Sequence, residues 1–214
     1  MAHPIKGYHT ADGKRVPSVT TIISKFKESG GLIHWAWDLG IQGIDYRKVR
    51  DEAANAGTLA HNMVEAMITG GDPMASTGPE EQLTKARNAF RLYEEWAKQS
   101  NLRVIETEVQ LVSERYRFGG CLDAMFVNER LSLGDWKTSN SVYSDYLYQL
   151  AGYAILWEEN RPDQPIDGGY HLMRFAKDDP DFAHYHWGDL EEAKEGFLIM
   201  RRLYDIKAAL DKRV

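Results

Sequence analysis

Three side chains on two neighbouring apolar segments carry the sharpest chemistry this sequence offers. The run Phe118-Gly119-Gly120-Cys121-Leu122-Asp123-Ala124-Met125-Phe126 sets one carboxylate inside an otherwise apolar stretch. Its paired glycines let another backbone or a ligand approach closely. A few residues on comes Leu131-Ser132-Leu133-Gly134-Asp135-Trp136-Lys137. If 117–128 and 131–137 form a hairpin, Asp123 can lie beside Asp135, and period-two alternation puts Asp135 and Lys137 on one face. Two half-buried carboxylates repel each other unless they are protonated or bridged by a cation. Hard oxygen ligands select Mg2+ or Mn2+ over zinc, and such an ion takes phosphate oxygens readily, which suits phosphodiester hydrolysis. The lysine could position the attacking water, lower its pKa, or stabilise charge on the phosphate. The plainer alternative is an Asp123 that caps a turn, with Asp135 and Lys137 as an exposed strand-end pair.

Two further pairs sit at helical spacing. In Gly57-Thr58-Leu59-Ala60-His61-Asn62-Met63-Val64-Glu65, His61 and Glu65 are four apart and flank an apolar stripe. They could reach into a cleft over a sheet, or form a border pair on the helix surface. The order His-x-x-x-Glu is not His-Glu-x-x-His, so a zinc-protease reading fails. In Tyr146-Leu147-Tyr148-Gln149-Leu150-Ala151-Gly152-Tyr153, Gln149 and Tyr153 share a face of a helix that is apolar nearly all round. A buried Gln149 must find hydrogen-bond partners there.

The elements that must position these residues follow from periodicity and breakers. Helix-compatible spacing without internal proline runs over 18–28, 32–42, 46–69 and 80–99, with Ser18 placed to cap the first helix. From about 103 the period shortens. Strands are expected near 103–113, 117–128 and 131–136, a helix over 144–159, strands over 167–176 and 182–187, and a last helix over 189–211. This order predicts a mixed α/β (α+β) core in 101–214 with a helical part, 1–100, covering the site.

The composition is that of a globular protein: 43% hydrophobic and 27% charged over 214 residues, which argues against collagen, wholesale disorder and a disulfide scaffold. One cysteine, Cys121, can form no intramolecular disulfide, and cannot supply the thiolates of an iron–sulfur cluster or a cysteine-rich zinc site. No apolar run is long enough to cross a bilayer, and the start lacks the apolar core of a signal peptide, so a reduced cytoplasmic setting is expected, including that of a viral protein in a host cytoplasm. Taken alone, the net charge of -6 speaks against a nucleic-acid partner. Residues 1–50, however, hold eight basic side chains against four acidic. Lys6, Lys14, Arg15, Lys25, Lys27, Arg47, Lys48 and Arg50 are interleaved there with Tyr8, Trp35, Trp37 and Tyr46. Cations among aromatics could hold a phosphate backbone and stack on bases, or simply form a solvated helical surface.

Taken in order, these motifs resemble the PD-(D/E)xK nuclease superfamily, in its RecB-like branch with the phage exonucleases and the mitochondrial genome maintenance exonuclease. Pro17 to Ile23 is similar to that branch's first helix start, and Gly57-Thr58-x-x-His61-x-x-x-Glu65 to its helical histidine motif. The stretch Glu108 to Ser113 resembles the strand before the first catalytic one. Gly120-x-x-Asp123 and Asp135-x-Lys137-Thr138-Ser139 resemble the catalytic motifs, and Gln149-x-x-x-Tyr153 the branch's glutamine–tyrosine helix. Leu122 stands where the name-giving proline would be. The resemblance implies a restriction-endonuclease-like fold, a central mixed sheet flanked by helices. It also implies a Mg2+- or Mn2+-dependent deoxyribonuclease, an exonuclease in the first instance, cutting by metal-activated water. Asp123 and Asp135 would hold the ion with the Trp136 carbonyl and His61. Glu65 would support that shell, Lys137 would act on the water, and Gln149 and Tyr153 would position the lysine or contact DNA. The partner would be single- or double-stranded DNA with ends, with no membrane and the oligomeric state open. The rival readings are a non-catalytic nucleic-acid-binding protein of the same fold and a metal-dependent hydrolase of small phosphoesters.

Overall fold

In the computed structural model, residues 7–27, 29–178 and 181–214 are described. A two-stranded antiparallel hairpin, β1 (Tyr8–His9) and β2 (Arg15–Val16), leads into α1 (Val19–Ser24), α2 (Gly30–Ile41), α3 (Tyr46–Thr69) and α4 (Glu80–Gln99). Then follow β3 (Arg103–Ser113), β4 (Phe118–Asn128), β5 (Arg130–Lys137), α5 (Asp145–Asn160), β6 (Gly169–Phe175), β7 (Phe182–Trp187) and α6 (Glu191–Leu210). The last five strands form one mixed sheet in the order β3-β4-β5-β6-β7, so the predicted α/β class and central mixed sheet hold. Only β5 and β6 are parallel, and a parallel neighbour needs a crossover, which α5 supplies.

Local chemistry sets the helix ends. The Ser18 hydroxyl accepts from the Thr21 N–H at 3.0 Å and starts α1. Asp45 caps α3 through the Arg47 N–H at 2.9 Å, and Gly70 ends it at φ 78°, a left-handed turn that glycine adopts without a Cβ penalty. The helix expected over 18–28 stops at Ser24; Glu28 lies outside the described residues. The β1–β2 hairpin has no counterpart in the sequence reading, because strands of two residues carry no period. Gly119 accounts for it: a Cβ there would lie 2.4 Å from the Tyr8 ring, so the glycine admits the hairpin onto β4.

Both faces of the sheet are covered. On one, α1, α5 and α6 bring Val19, Ile22, Leu150, Tyr153, Trp157 and Phe197 against Leu122, Met125, Leu133 and Leu172. On the other, Met63 of α3 and Phe90, Tyr93 and Trp96 of α4 pack on Phe126, Trp136, Met173 and Phe175. Each fully buried side chain of this size contributes roughly 1.5–3 kcal/mol. Thus the first hundred residues supply a helix to the first layer and most of the second. α2 differs: none of its residues is buried, and Leu32, Ile33, Trp37 and Ile41 are exposed. Among the described residues, no helix is long and apolar enough to cross a membrane.

Candidate active site

β4 and β5 pair through Ala124 and Gly134, and the next pair in that register is Asp123 with Asp135. There the ladder changes. The Trp136 N–H donates to Asp123 Oδ2 at 3.1 Å, so a side-chain carboxylate takes the place of a β4 carbonyl. Side-chain facing along β4 also shifts at this point. A Cβ on Gly120 would lie 2.9 Å from Tyr153 and Leu156 of α5, and Leu122 packs in the same layer. Strict alternation would turn Met125 and its neighbour Asp123 to the opposite side, yet Met125 joins the α5 layer with Leu133. Across from Asp123 in the β3–β4 register stands Glu108 at φ 52°. A non-glycine residue in that region costs of order 1 kcal/mol or more and marks a local twist. Glu108 Oε2 accepts from Cys121 Sγ at 3.2 Å, and burial pushes that thiol's pKa up, so Cys121 is not poised as a nucleophile.

The two carboxylates are fully buried but held differently. Asp135 is ion-paired with Lys137 Nζ and accepts at Oδ1 from Gln149 Nε2, 3.2 Å away. The same Gln149 amide donates to the Tyr153 hydroxyl at 2.9 Å. Gln149 thus links Asp135, the ion-pair partner of Lys137, to Tyr153, which is buried beneath it. Asp123 has the Trp136 N–H on Oδ2, while among the described residues its buried Oδ1 has no hydrogen-bond partner and Asp135 Oδ2 has the ion pair but no aligned hydrogen bond. A buried acceptor left unmatched costs roughly 1–3 kcal/mol, more when charged. Burial raises both carboxyls. Asp135 is pushed up to about 7, with Lys137 opposing and Asp123 adding. Asp123 is raised by burial against the pull of Lys137. The lysine's pKa is raised, because the two carboxylates outweigh its burial. Nζ of Lys137 also lies 5.1 Å from the Tyr146 ring, whose hydroxyl donates to Ser139 Oγ at 3.0 Å.

α3 closes the site from the other side. A Cβ on Gly57 would lie 2.9 Å from Thr138 Oγ1, so glycine lets this helix pass close to the end of β5. One turn on, the Nδ1 of His61 is buried with no hydrogen-bond partner among the described residues. Burial, then Lys137, depresses its pKa to about 4, which leaves a neutral imidazole with a bare nitrogen at neutral pH. Glu65, a further turn along, is half-buried, and its carboxylate makes no hydrogen bond or ion pair among the described residues. The Trp136 ring packs on the far face against Tyr93 and Phe126, so only its backbone is at the site.

A cleft of about 480 Å3 opens here, lined by His61, Lys137, Thr138, Ser139, Tyr146 and Lys177. Sequence reasoning missed Lys177. It is buried, its Nζ donates to the Thr138 carbonyl at 2.7 Å, and it follows β6 with no motif around it. Among the described residues, no three histidine, cysteine, aspartate or glutamate side chains converge as a ready ligand shell. A hard cation between Asp123 and Asp135 would complete its shell with a backbone carbonyl, water and substrate oxygens, as such ions commonly do.

A search of the curated proteins gave no match. Among solved structures, a candidate exonuclease of Eubacterium rectale superposes with a TM-score of 0.50 at 14% identity, over 71% of this chain and 65% of that one. The chain thus spans about two thirds of that protein's length. The alkaline exonuclease LHK-Exo of Laribacter hongkongensis gives a TM-score of 0.34 at 14% identity, and its dAMP complex 0.36 at 12%, each over 73% of this chain and 85% of that one. A family comparison matches residues 8–209, nearly the whole chain and every element that builds the site, to the PD-(D/E)XK nucleases. The chain belongs to the PD-(D/E)XK nuclease superfamily.

Proposed function

We propose that the protein is a divalent-metal-dependent deoxyribonuclease that degrades DNA from ends. The observation that carries this reading is the buried Asp123–Asp135 pair, whose Oδ1 and Oδ2 respectively lack a hydrogen-bond partner among the described residues, lying behind Lys137, which lines the cleft. Hard oxygen donors of this kind fit Mg2+ or Mn2+, and the raised carboxyl pKa values fit a site that lacks its counter-charge. Asp123, Asp135 and the Trp136 carbonyl would hold the ion, with His61 reaching it or the scissile phosphate from α3. When bound, such an ion supplies Lewis acidity toward the phosphate and lowers the pKa of a water.

The chain's own residues do the rest. Gln149 fixes the Asp135 carboxylate, and the buried Tyr153 fixes Gln149, so the acid enters the reaction already oriented. Lys137, tied to Asp135, places a cation where the attacking oxygen and the pentavalent phosphate gather negative charge. His61 is neutral at working pH and can accept a hydrogen bond or ligate without first losing a proton.

Linear and covalently closed circular DNA, each incubated with the protein and Mn2+, separate the parts of this reading. Loss of the linear form with survival of the circle is the expected result. Cutting of the circle at a similar rate would make the enzyme an endonuclease, and survival of both with any divalent ion would remove the nuclease assignment.

A further inference from the structure

Two adjacent aromatic rings with a cation at each end lead away from the catalytic lysine. Lys137 Nζ lies 5.1 Å from the Tyr146 ring, Tyr146 meets Tyr143 edge-on at 5.7 Å, and Lys27 Nζ lies 5.6 Å from the Tyr143 ring. Lys27 comes from the segment after α1, while Tyr143 lies in the β5–α5 connection and Tyr146 in the first turn of α5, so two distant parts of the chain build this row. It runs into a second cleft, of about 1000 Å3, between α2, α3 and the β5–α5 connection. The two clefts share Ala53 and Lys177 in their walls and so adjoin. Lys27, Arg50 and Lys177 face the larger cleft, as does Trp35. Its carboxylates are already engaged, Asp145 with Lys27 at 3.3 Å and Asp178 with Lys85 at 3.3 Å. Tyr143 is 52% exposed, far more than a ring placed to fill a core.

Adjacent rings with cations at either end suit a polymer that presents both bases and phosphates. A duplex keeps its bases stacked inside and offers such rings nothing to stack on; an unpaired strand offers every base. We propose that Tyr143 and Tyr146, flanked by Lys27 and Lys177, form a stacking track that takes the unpaired end of the substrate strand between the carboxylates and the α2–α3 cleft. This rests on the nuclease reading only for which strand is then cut. Tyr143 and Lys27 are positioning residues: they select single-stranded ends and take no part in the bond-breaking step.

The test is fluorescence anisotropy of a short labelled oligothymidylate and of a blunt duplex in EDTA, with wild type, Tyr143→Ala, Tyr143→Phe and Lys27→Ala. Cleavage of a chromogenic thymidine phosphodiester with Mn2+ is measured alongside. Tyr143→Ala should weaken single-strand binding about fivefold or more, and Tyr143→Phe, which keeps the ring, should restore it to within about twofold. Duplex binding and hydrolysis of the small diester should stay within about twofold of wild type, since neither uses the track. Equal weakening of both nucleic acids, or no weakening, overturns the proposal. If wild type cleaves DNA while Tyr143→Ala binds single strands unchanged, the track falls and the nuclease reading stands. If single-strand binding depends on Tyr143 but no divalent ion gives cleavage, the track stands and the nuclease reading falls.

Discussion

The sheet carries two clusters of buried polar groups, and they are built on opposite principles. At the β4–β5 cluster, Asp123, Asp135 and Lys137 bring ionisable groups together and leave buried carboxylate oxygens without a hydrogen-bond partner among the described residues, behind the cleft that Lys137 lines. At β6–β7, His171 lies buried under the exposed imidazoles of His184 and His186. His171 Nδ1 shares a 2.9 Å hydrogen bond with His184 Nε2 and stacks on His186 at 4.5 Å, and His186 Nε2 meets the Gly168 carbonyl at 3.0 Å. Trp96 and Phe126 close that cluster with their edges. Burial, reinforced by the neighbouring histidines, pushes His171 down to about 4, so it stays neutral. His171 Nε2 likewise has no hydrogen-bond partner among the described residues, but a neutral imidazole carries no charge to compensate. At the carboxylate site burial sets two acids against one lysine, an arrangement that a cation would relieve.

Nuclease activity separates the clusters most widely. Asp135→Ala and Lys137→Ala should each lower the rate about a thousandfold or more, while His171→Leu leaves it within about twofold. Comparable losses at both places would break the distinction. Gln149→Leu, which removes the orienting bond to Asp135 but no ligand or charge, should cost about 10–100-fold in turnover with binding nearly unchanged.

Stability divides the two carboxylates themselves. Asp135→Asn leaves Lys137 without its ion-pair partner, and the melting temperature without metal should fall by a few degrees, about 2–4 °C per kcal/mol lost. Asp123→Asn removes a buried charge with no cation paired to it, so melting should hold steady or rise slightly. Equal drops in calorimetry would show that the two acids are held alike.

The smallest effect is a dependence on pH. Asp135 takes up its proton more readily in the folded than in the unfolded chain, so the stability it allows is full below about 4 and lost as pH rises to about 7. His61 and His171 act in the other direction: depressed to about 4, their contribution is present above the usual histidine value near 6.5 and lost as pH falls toward 4. Denaturation followed from pH 4 to 7 should therefore show a downward slope from Asp135 that adding Mn2+ removes, and a slope from His171, away from the carboxylates, that Mn2+ leaves in place.

Much of this was legible in the sequence because it rests on period and spacing. The α3 and α4 boundaries follow from uninterrupted helical periodicity, and the Asp123–Asp135 juxtaposition from the hairpin register. Other features depend on tertiary contact. No local pattern announces that Glu108 turns left-handed, that Gly57 lets α3 press on Thr138, or that a lone Lys177 returns from β6 to the cleft. The two-residue strands β1 and β2 exist because Gly119 admits Tyr8, which only the folded chain shows. Net charge is blind for the same reason: -6 describes a whole surface, while Lys27, Arg50 and Lys177 come together in one groove.

The account turns on whether the bare oxygens of Asp123 and Asp135 serve a cation that cuts DNA. The direct measurement is release of nucleotides from end-labelled linear DNA as Mn2+ or Mg2+ is added to metal-free protein, with Asp123→Asn beside the wild type. Activity should rise from nothing in EDTA to a plateau for wild type, and the variant, folded and equally stable, should stay at background. Full activity in EDTA, or an Asp123→Asn variant as active as wild type, would contradict it.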